Sequence, residues 1–454
     1  MSSEERKSIH GTWTGRWTFI LAAAGSAVGL GNIWKFPYMA GEYGGGAFVL
    51  VYLVCILLIG VPIMVAEILL GRRGRSSPAN SMAYLAEEAK TFPQWKYLGV
   101  MGAVAGLLIL SFYSVAAGWA FAYIFEGFNG TSAEYYGQEF EGFLKDETRL
   151  IFFHSIFIFL TIFIVSRGVI KGLETWINRL MPLLFIILIL LCIYATQTGA
   201  FIEGVSYLFS PDFSKINAKV ILAALGQAFF TLSLGMGAIM AYGAYMPSNQ
   251  SIGSTALSVA FLDTSVALLA GIAIFPIVFA NNLEPATGPG LVFVTLPWAF
   301  VNMPLGIIFG KLFFVLLSIA ALSSAISLLE PGVAWIVESL KIKRYVAAAG
   351  LGLIAWVLGI FSALSFDLLS GLTPIGDKNF FDSLDFLSNQ VLLPLGGIFI
   401  AIFVGWIMKQ SNVLEELGIK GRFMFKIWFF LVRFVAPTMV ALVFIFAVFF
   451  GVVS

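Results

Sequence analysis

Between a few charged clusters this chain runs for more than twenty residues at a time without a Lys, Arg, Asp or Glu. Such stretches extend from Tyr97 to Phe125, Leu180 to Ile202, Val220 to Leu262, Tyr345 to Phe366 and Phe386 to Met408. Each is long enough to cross about 30 Å of hydrocarbon as a helix. In lipid every backbone N–H and C=O needs an internal partner, which leaves helices and closed barrels. Barrel strands are about ten residues long and alternate in polarity, and these runs do neither. The fold class expected is therefore all-α membrane protein. Only 11% of the 454 residues are charged while 59% are hydrophobic, which excludes a soluble multidomain enzyme.

Read in order, the apolar runs give eleven spans, near 16–40, 45–70, 97–125, 150–166, 177–199, 219–246, 252–281, 308–338, 345–364, 386–408 and 427–452. Basic residues gather in alternate connections: Arg72, Arg73, Arg75, Lys90 and Lys96; Arg167, Lys171 and Arg179; Lys341, Lys343 and Arg344; Lys409, Lys420, Arg422 and Lys426. Those connections are expected in the cytoplasm. Acidic residues fill the opposite loops, Glu126 to Glu147 and Asp367 to Asp385. The N-terminus is then inside and the C-terminus outside. A net charge of +1 gives no bulk reason to bind nucleic acid. Cys55 and Cys192 both lie in apolar runs, so neither a disulfide framework nor a cysteine metal site is expected. No short apolar region with a cleavage site follows the first residues, and no cleaved signal is expected. The loop at 284–306 carries Pro285, Pro289, Pro297 and Pro304 around an apolar, aromatic stretch from Gly290 to Val301. It reads as an external lid that dips into the protein.

Two spans are interrupted by glycine. The first contains Gly25, Gly29 and Gly31, followed by Asn32; the sixth contains Phe230-Thr231-Leu232-Ser233-Leu234-Gly235-Met236-Gly237. Each glycine weakens a helix by about 1 kcal/mol relative to alanine. Close packing through small residues explains either cluster alone. The pair, at corresponding positions of two five-span halves, points instead to the binding site of a secondary transporter. An unwound turn at mid-membrane exposes carbonyl oxygens, which suit a cation. The half-helix beginning near Gly31 points N–H groups and a positive dipole end at the same cavity, which suits a carboxylate.

At these residues the sequence resembles the neurotransmitter:sodium symporter family. The resemblance is carried by Gly25-Ser26-Ala27-Val28-Gly29-Leu30-Gly31-Asn32-Ile33-Trp34-Lys35-Phe36-Pro37-Tyr38, by Gly44-Gly45-Gly46-Ala47-Phe48, by the segment Gly226 to Gly235, and by Leu322-Ser323-Ser324-Ala325-Ile326. Eleven spans are similar to its bacterial branch. The resemblance implies a LeuT-like fold of two inverted five-helix repeats, 16–200 and 201–410, with helices 1 and 6 unwound at mid-membrane. A cytoplasmic segment, 1–15, precedes them and an eleventh helix lies in 411–454. It implies a sodium-coupled symporter in the bacterial cytoplasmic membrane, working by alternating access, with no organic cofactor.

Two sodium sites follow from the resemblance. The first would use the carbonyl of Ala27, Asn32, Thr231, Asp263 and the substrate carboxylate; the second, carbonyls of Gly25, Val28 and Ala320 with hydroxyls of Ser323 and Ser324. An acid in an apolar span, as Asp263 is, is a functional candidate by default. Members in which a protein carboxylate supplies the negative charge need no halide, so no chloride requirement is expected. The substrate pocket would contain Ala27, Leu30, Gly31, Ile109, Tyr113, Phe230, Thr231, Ser233, Met236, Ser324 and Leu328. None of these is charged, and a charged side chain left unpaired there would cost several kcal/mol, so neutral hydrophobic L-amino acids are expected. Met236 is flexible and favours breadth.

For gates, the resemblance implies an external ion pair between Lys35 and Asp385, closing over Tyr113 and Phe230, where relatives usually carry Arg in place of Lys35. Inside, Trp13 would cover the cytoplasmic face with Tyr245 and Glu338 as polar partners. Relatives place Arg where this chain has His10, and Arg6 or Lys7 could serve in its stead. Glu67 and Glu330 are assigned to structural hydrogen bonding. Gly172 and Pro182 resemble a pair that permits local unwinding at the start of the fifth span. The alternatives are a same-fold transporter of another small solute and a non-transporting amino-acid sensor. An intramembrane enzyme is disfavoured, because His10 and His154 are the only histidines. Oligomeric state is not legible.

Overall fold

The structure, a computed structural model, describes residues 8–130, 132–284, 288–418 and 421–450. Arg6, Lys7, Pro285 and Lys420 lie outside them, as does the side chain of Arg422. Among the described residues nine helices are long and apolar enough to cross a membrane, from Gly46–Gly74 to Phe423–Phe450. A bent pair, Arg16–Ala27 with Gly31–Glu42, makes a tenth crossing, its halves meeting at 56°. The eleventh is a second broken pair, Ala218–Thr231 and Ala238–Ala244, each half too short to cross alone. The breaks fall in the first and sixth spans, where glycine had marked them.

Differences from the sequence expectation lie at helix ends and have one cause: polar residues inside terminal turns shorten an apolar run without ending the helix. The fifth span begins at Val169 and takes in Lys171, Glu174 and Arg179. The tenth begins at Phe380, so Asp382 and Asp385 stand on its first turns rather than in a loop. Asn379 caps that turn by accepting the N–H of Asp382 at 2.8 Å, and acids at a helix N-terminus are favoured by its dipole. Arg72 and Arg73, expected in an exposed cytoplasmic loop, lie on the last turn of the second span and are buried. Arg72 Nε donates to Glu416 at 2.5 Å and its Nη1 to the carbonyl of Gln250 at 2.6 Å. Arg73 pairs with Glu88 at 2.6 Å and Glu415 at 3.2 Å. The arginines thereby tie the second span to the short helix Gln410–Leu417 between the tenth and eleventh.

Proline shapes the spans from within. Five π-turns, Gly31–Lys35, Ile56–Gly60, Leu291–Thr295, Phe386–Leu392 and Leu431–Val435, each stand two residues before a proline: Pro37, Pro62, Pro297, Pro394 and Pro437. A proline ring clashes with the carbonyl four residues back and leaves it without a donor. Widening the preceding turn relieves the clash while the chain stays helical.

The segment Leu291–Val301 is a short helix whose Leu291, Val292, Phe293, Leu296 and Phe300 are buried, so the loop does dip into the protein. Phe293 sits among Trp34, Trp119, Tyr123, Phe140 and Phe314. Trp34 Nε1 donates to the carbonyl of Gly288 at 3.1 Å, joining this lid to the upper half of the first span.

Candidate functional site

The two breaks face each other. Helix Arg16–Ala27 ends as Val28 turns extended, and three residues on the chain coils again at Gly31. Glycine is required here by its neighbours: a Cβ on Gly29 would stand 2.5 Å from Ser324 Oγ and 2.7 Å from the Tyr113 hydroxyl, and one on Gly31 2.9 Å from the Phe230 ring. In the sixth span, Ser233, Gly235 and Gly237 all take left-handed φ, +54°, +81° and +77°. That run cannot continue a right-handed helix. Glu67, from the second span, fills the gap by accepting the N–H of Gly235 at 2.6 Å.

Hydrogen bonds knit the breaks together. Gln227 Nε2 donates to the carbonyl of Gly31 at 2.8 Å, and Ser233 Oγ to that of Ser26 at 2.9 Å. Ser324 Oγ donates to Val28 at 3.0 Å and Ser26 at 3.2 Å, while Ser323 Oγ donates to Ala320 at 2.9 Å. Of the oxygens expected around a second ion, those of Val28, Ala320, Ser323 and Ser324 are therefore already gathered where the first span meets the eighth. Gly25 packs beside them, its Cβ position 3.5 Å from that of Ser323.

Asp263 is fully buried in the seventh span. Its Oδ1 accepts Asn32 Nδ2 at 2.7 Å and the Thr231 hydroxyl at 3.1 Å, and Asn32 Oδ1 accepts the N–H of Gly29 at 3.1 Å. A carboxylate, an amide and a hydroxyl from three spans thus meet beside the first break, with the Tyr52 side chain buried nearby.

Between the breaks lies a cavity of about 30 Å³. All eleven residues expected to form the substrate pocket line it: Ala27, Leu30, Gly31, Ile109, Tyr113, Phe230, Thr231, Ser233, Met236, Ser324 and Leu328. Ser26 and Gly29 line it as well, and sequence reasoning had not placed them there. No lining residue is charged. Polar groups cluster at the first break, where the N–H of Leu30 donates to the Tyr113 hydroxyl at 3.2 Å. Room for about one water is too little for an amino acid. Filling the chamber requires Phe230, Met236 or the apolar wall of Ile109 and Leu328 to shift.

Phe230 also lines a larger outer cavity of about 520 Å³, which Lys35, Tyr38, Asp382 and Asp385 share. The expected external ion pair is not made. Lys35 Nζ instead lies 4.7 Å from the centre of the Phe230 ring, a cation–π contact, and Asp385 accepts Asn389 at 2.6 Å. Lys35 thus rests on the aromatic roof of the chamber, while Asp385, which lines the same outer cavity, is engaged by Asn389.

The opposite face is closed. Trp13 is 2% exposed and packs edge-on against Phe19, Tyr242 and Tyr245, donating Nε1 to the carbonyl of Tyr242 at 3.1 Å. His10 itself, for which Arg6 or Lys7 had been offered as substitutes, meets Glu338 at 3.0 Å. Glu338 also accepts the N–H of Ser77 at 2.8 Å and Asn80 at 2.7 Å. Tyr245, expected with Glu338 around Trp13, does pack against Trp13, and its hydroxyl donates to Glu330 at 2.8 Å, which is ion-paired with Arg344. Glu330 and Glu338 stand about two turns apart on one helix, and packing gives the first to Tyr245 and the second to His10. Gly172 lies in a π-turn, Val169–Glu174, and Pro182 within the following helix, which is wound throughout. His154 is buried between Ser114 at 3.0 Å and the carbonyl of Trp356 at 3.1 Å, a structural position.

Residues 10–135 and 137–451 match the sodium:neurotransmitter symporter family. The chain is 38% identical to the uncharacterised sodium-dependent transporter YhdH of Bacillus subtilis (strain 168), over 97% of this chain and 98% of that one. It is 34% identical to an uncharacterised sodium-dependent transporter of Haemophilus influenzae, over 96% and 97%. Among solved structures it is similar to MhsT in complex with L-phenylalanine, with a TM-score of 0.88 and 49% identity over 96% of this chain and 99% of that one.

Proposed function

The chain belongs to the sodium:neurotransmitter symporter family, and from that premise we propose that it takes up neutral hydrophobic L-amino acids, aliphatic and aromatic, with two sodium ions and without chloride. That it is a multi-pass, sodium-dependent symporter with a LeuT-like fold, and not an enzyme, follows from the family and the structural match. The substrate class rests on one observation: a chamber between two broken helices whose thirteen lining residues carry no charge and whose polar groups gather at one end. A carboxylate fits the N–H groups of Leu30 and Gly31 and the Tyr113 hydroxyl. Ile109, Met236, Phe230 and Leu328 leave only an apolar surface for the side chain. The similarity to a protein that holds L-phenylalanine supports the same reading.

Sodium is cargo here, and the residues explain its coupling. Asp263, Asn32 and Thr231 bring oxygens together directly beside Leu30 and Gly31, so an ion there shares its oxygen shell with the substrate carboxylate; hard cations favour such ligands. Each partner then raises the affinity of the other. The second ion would join Gly25 and Val28 to Ala320, Ser323 and Ser324, holding the first span on the eighth. With Asp263 supplying a fixed negative charge, a halide has no role. The basic loops support an N-terminus in the cytoplasm of a bacterial cell, with repeats over 16–200 and 201–410 around the chamber.

Uptake of labelled leucine, phenylalanine and tryptophan into proteoliposomes, with sodium replaced by potassium and chloride by gluconate, tests these assignments together. Uptake is expected to stop without sodium and to persist without chloride. A requirement for chloride would refute the role given to Asp263, and transport of charged or sugar substrates alone would refute the substrate class.

A further inference from the structure

One charge inside the membrane has no partner in the protein. Arg433 belongs to the eleventh span, Phe423–Phe450. Ionisable side chains within a span ordinarily pair with one another or with backbone carbonyls. Among the described residues Arg433 has no such partner: its Nε is buried without a hydrogen bond, and no carboxylate reaches the guanidinium. Packing holds it instead. A Cβ on Gly405 would stand 3.0 Å from the Cα of Arg433 and 3.2 Å from its Cβ, so the bare glycine lets the arginine stem lie against the tenth span. The guanidinium carbon is then 4.1 Å from the centre of the Trp406 ring, 5.5 Å from that of Phe434 and 5.9 Å from that of Phe429. Trp406 donates Nε1 to the carbonyl of Arg433 at 3.1 Å, which fixes the ring beneath the charge. Trp406 and Phe434 are themselves exposed on the outer surface of the two spans.

The depth of this group follows from the helices. Trp406 is the last residue but one of the tenth span, and Lys409 follows shortly. From Arg433 to Phe450 the eleventh span is about 27 Å long, close to the ~30 Å of hydrocarbon it crosses. The guanidinium therefore stands where hydrocarbon gives way to headgroups, the level at which tryptophan anchors. Its surroundings are positive. Lys426, about two turns earlier on the helix, and Lys409 are exposed and take no acid partner among the described residues. Glu415 and Glu416, the only acids beyond Asp385 in the sequence, are engaged by Arg73 and Arg72.

We propose that Arg433, seated on Trp406, binds the phosphate of an anionic phospholipid at a fixed site between the tenth and eleventh spans. A guanidinium offers phosphate a planar fork, and stacking on aromatic rings suits it better than an ammonium. The lysines nearby favour a headgroup of net negative charge over a zwitterionic one. A free phosphate would lack the apolar contact that acyl chains make with Phe430 and Phe434, both exposed in the same stretch. The bound lipid reinforces the join that Trp406 makes between the two spans. This site is independent of what the chamber carries.

The test titrates the purified full-length protein in dodecyl maltoside with phosphatidylglycerol, with phosphatidylcholine and with glycerophosphoglycerol, the headgroup without its chains. Thermal denaturation and native mass spectrometry of lipid adducts are the readouts. Phosphatidylglycerol is expected to raise the denaturation midpoint and to bind about fivefold more tightly than phosphatidylcholine, while glycerophosphoglycerol does neither. Arg433→Gln and Arg433→Met are both expected to lose that preference, and Lys426→Gln to keep most of it. Without lipid, the midpoints of the Arg433 variants should match or exceed the parent's, since the charge removed had no partner. A preference that survives in the Arg433 variants overturns the proposal. So does an equal loss in Lys426→Gln, which would make the attraction a general one, or a midpoint that falls equally with and without lipid, which would make Arg433 a structural strut. An equal response to glycerophosphoglycerol would leave an anion site without a lipid, and a dimer lost in the Arg433 variants would assign the face to a second copy; either result also overturns it.

Discussion

Glu67 on the second span accepts the backbone N–H of Gly235 at 2.6 Å, placing a fully buried carboxylate inside the break of the sixth. The sixth span's left-handed run leaves that N–H without a helical acceptor in a buried turn. Glu67 is thus the element that lets the helix stay open. Replacing it by alanine strands the N–H at a cost of about 1–3 kcal/mol. Glu67→Ala should lower the thermal denaturation midpoint and weaken amino-acid binding, because Ser233 and Met236 flank the same turn. Glu67→Gln keeps an acceptor and should retain most of both. Equal behaviour of the two variants would show that the acceptor is not what matters.

Asp263 joins two spans through Asn32 and Thr231, and in the proposed coupling its charge serves the ion and, through the ion, the substrate. Asp263→Asn preserves the shape and removes the charge. Sodium and amino-acid affinities are expected to fall together, by the roughly 5- to 150-fold that a coupling of about 1–3 kcal/mol corresponds to. Titrating sodium at several fixed substrate concentrations measures this. Two affinities that change independently would argue against a shared oxygen shell.

Much of this site was legible before any coordinates. Glycine clusters at Gly29–Gly31 and Gly235–Gly237 announce the breaks: at the first a Cβ would meet neighbours within 3 Å, and at the second the backbone takes left-handed φ. An acid alone in an apolar span announces Asp263. What sequence could not assign were the partners of polar groups. Glu330 and Glu338 lie on one helix, and only packing decides that Tyr245 reaches the first and His10 the second. Gln227 is likewise silent until the carbonyl of Gly31 is seen 2.8 Å away. Arg72 looks like a loop cation, since burial of an arginine depends on an acid more than three hundred residues distant.

The inner closure makes a separate prediction. Trp13 fills a pocket of aromatic rings, and His10, Ser77 and Asn80 converge on Glu338. Trp13→Ala or Glu338→Ala should favour opening of that face while leaving the outer vestibule intact. Met181 is a suitable reporter, being fully buried with its sulfur 3.2 Å from the Cβ position of Gly25. In a background with Cys55 and Cys192 replaced by serine, Met181→Cys should react with an impermeant maleimide about tenfold faster or more in either gate variant, given the ~3–5 kcal/mol that deleting a buried tryptophan costs. A rate unchanged from the parent would mean that these contacts do not hold the face shut.

The foot of the fifth span separates rate from affinity. Pro182 stands inside the helix Thr175–Thr196, where it leaves the carbonyl four residues back unbonded, and the π-turn Val169–Glu174 precedes it. Glu174, at the end of that turn, accepts the N–H of Thr14 at 3.3 Å and also its hydroxyl, so the turn is tied to the segment bearing Trp13. If local uncoiling here gives water a route toward Gly25 and Ser323, restoring the missing hydrogen bond should slow the cycle without touching the chamber. Pro182→Ala is therefore expected to bind sodium and substrate within about twofold of the parent but to turn over about tenfold more slowly, a barrier change of about 1.4 kcal/mol. Gly172→Ala should act differently: its Cβ would stand 2.2 Å from the carbonyl oxygen of Ile164, a backbone atom that cannot yield, and a loss of thermal stability is expected. Paired measurement of equilibrium binding and proteoliposome uptake distinguishes the two, and a Pro182→Ala protein that transports at the parent's rate would remove the fifth span from the mechanism.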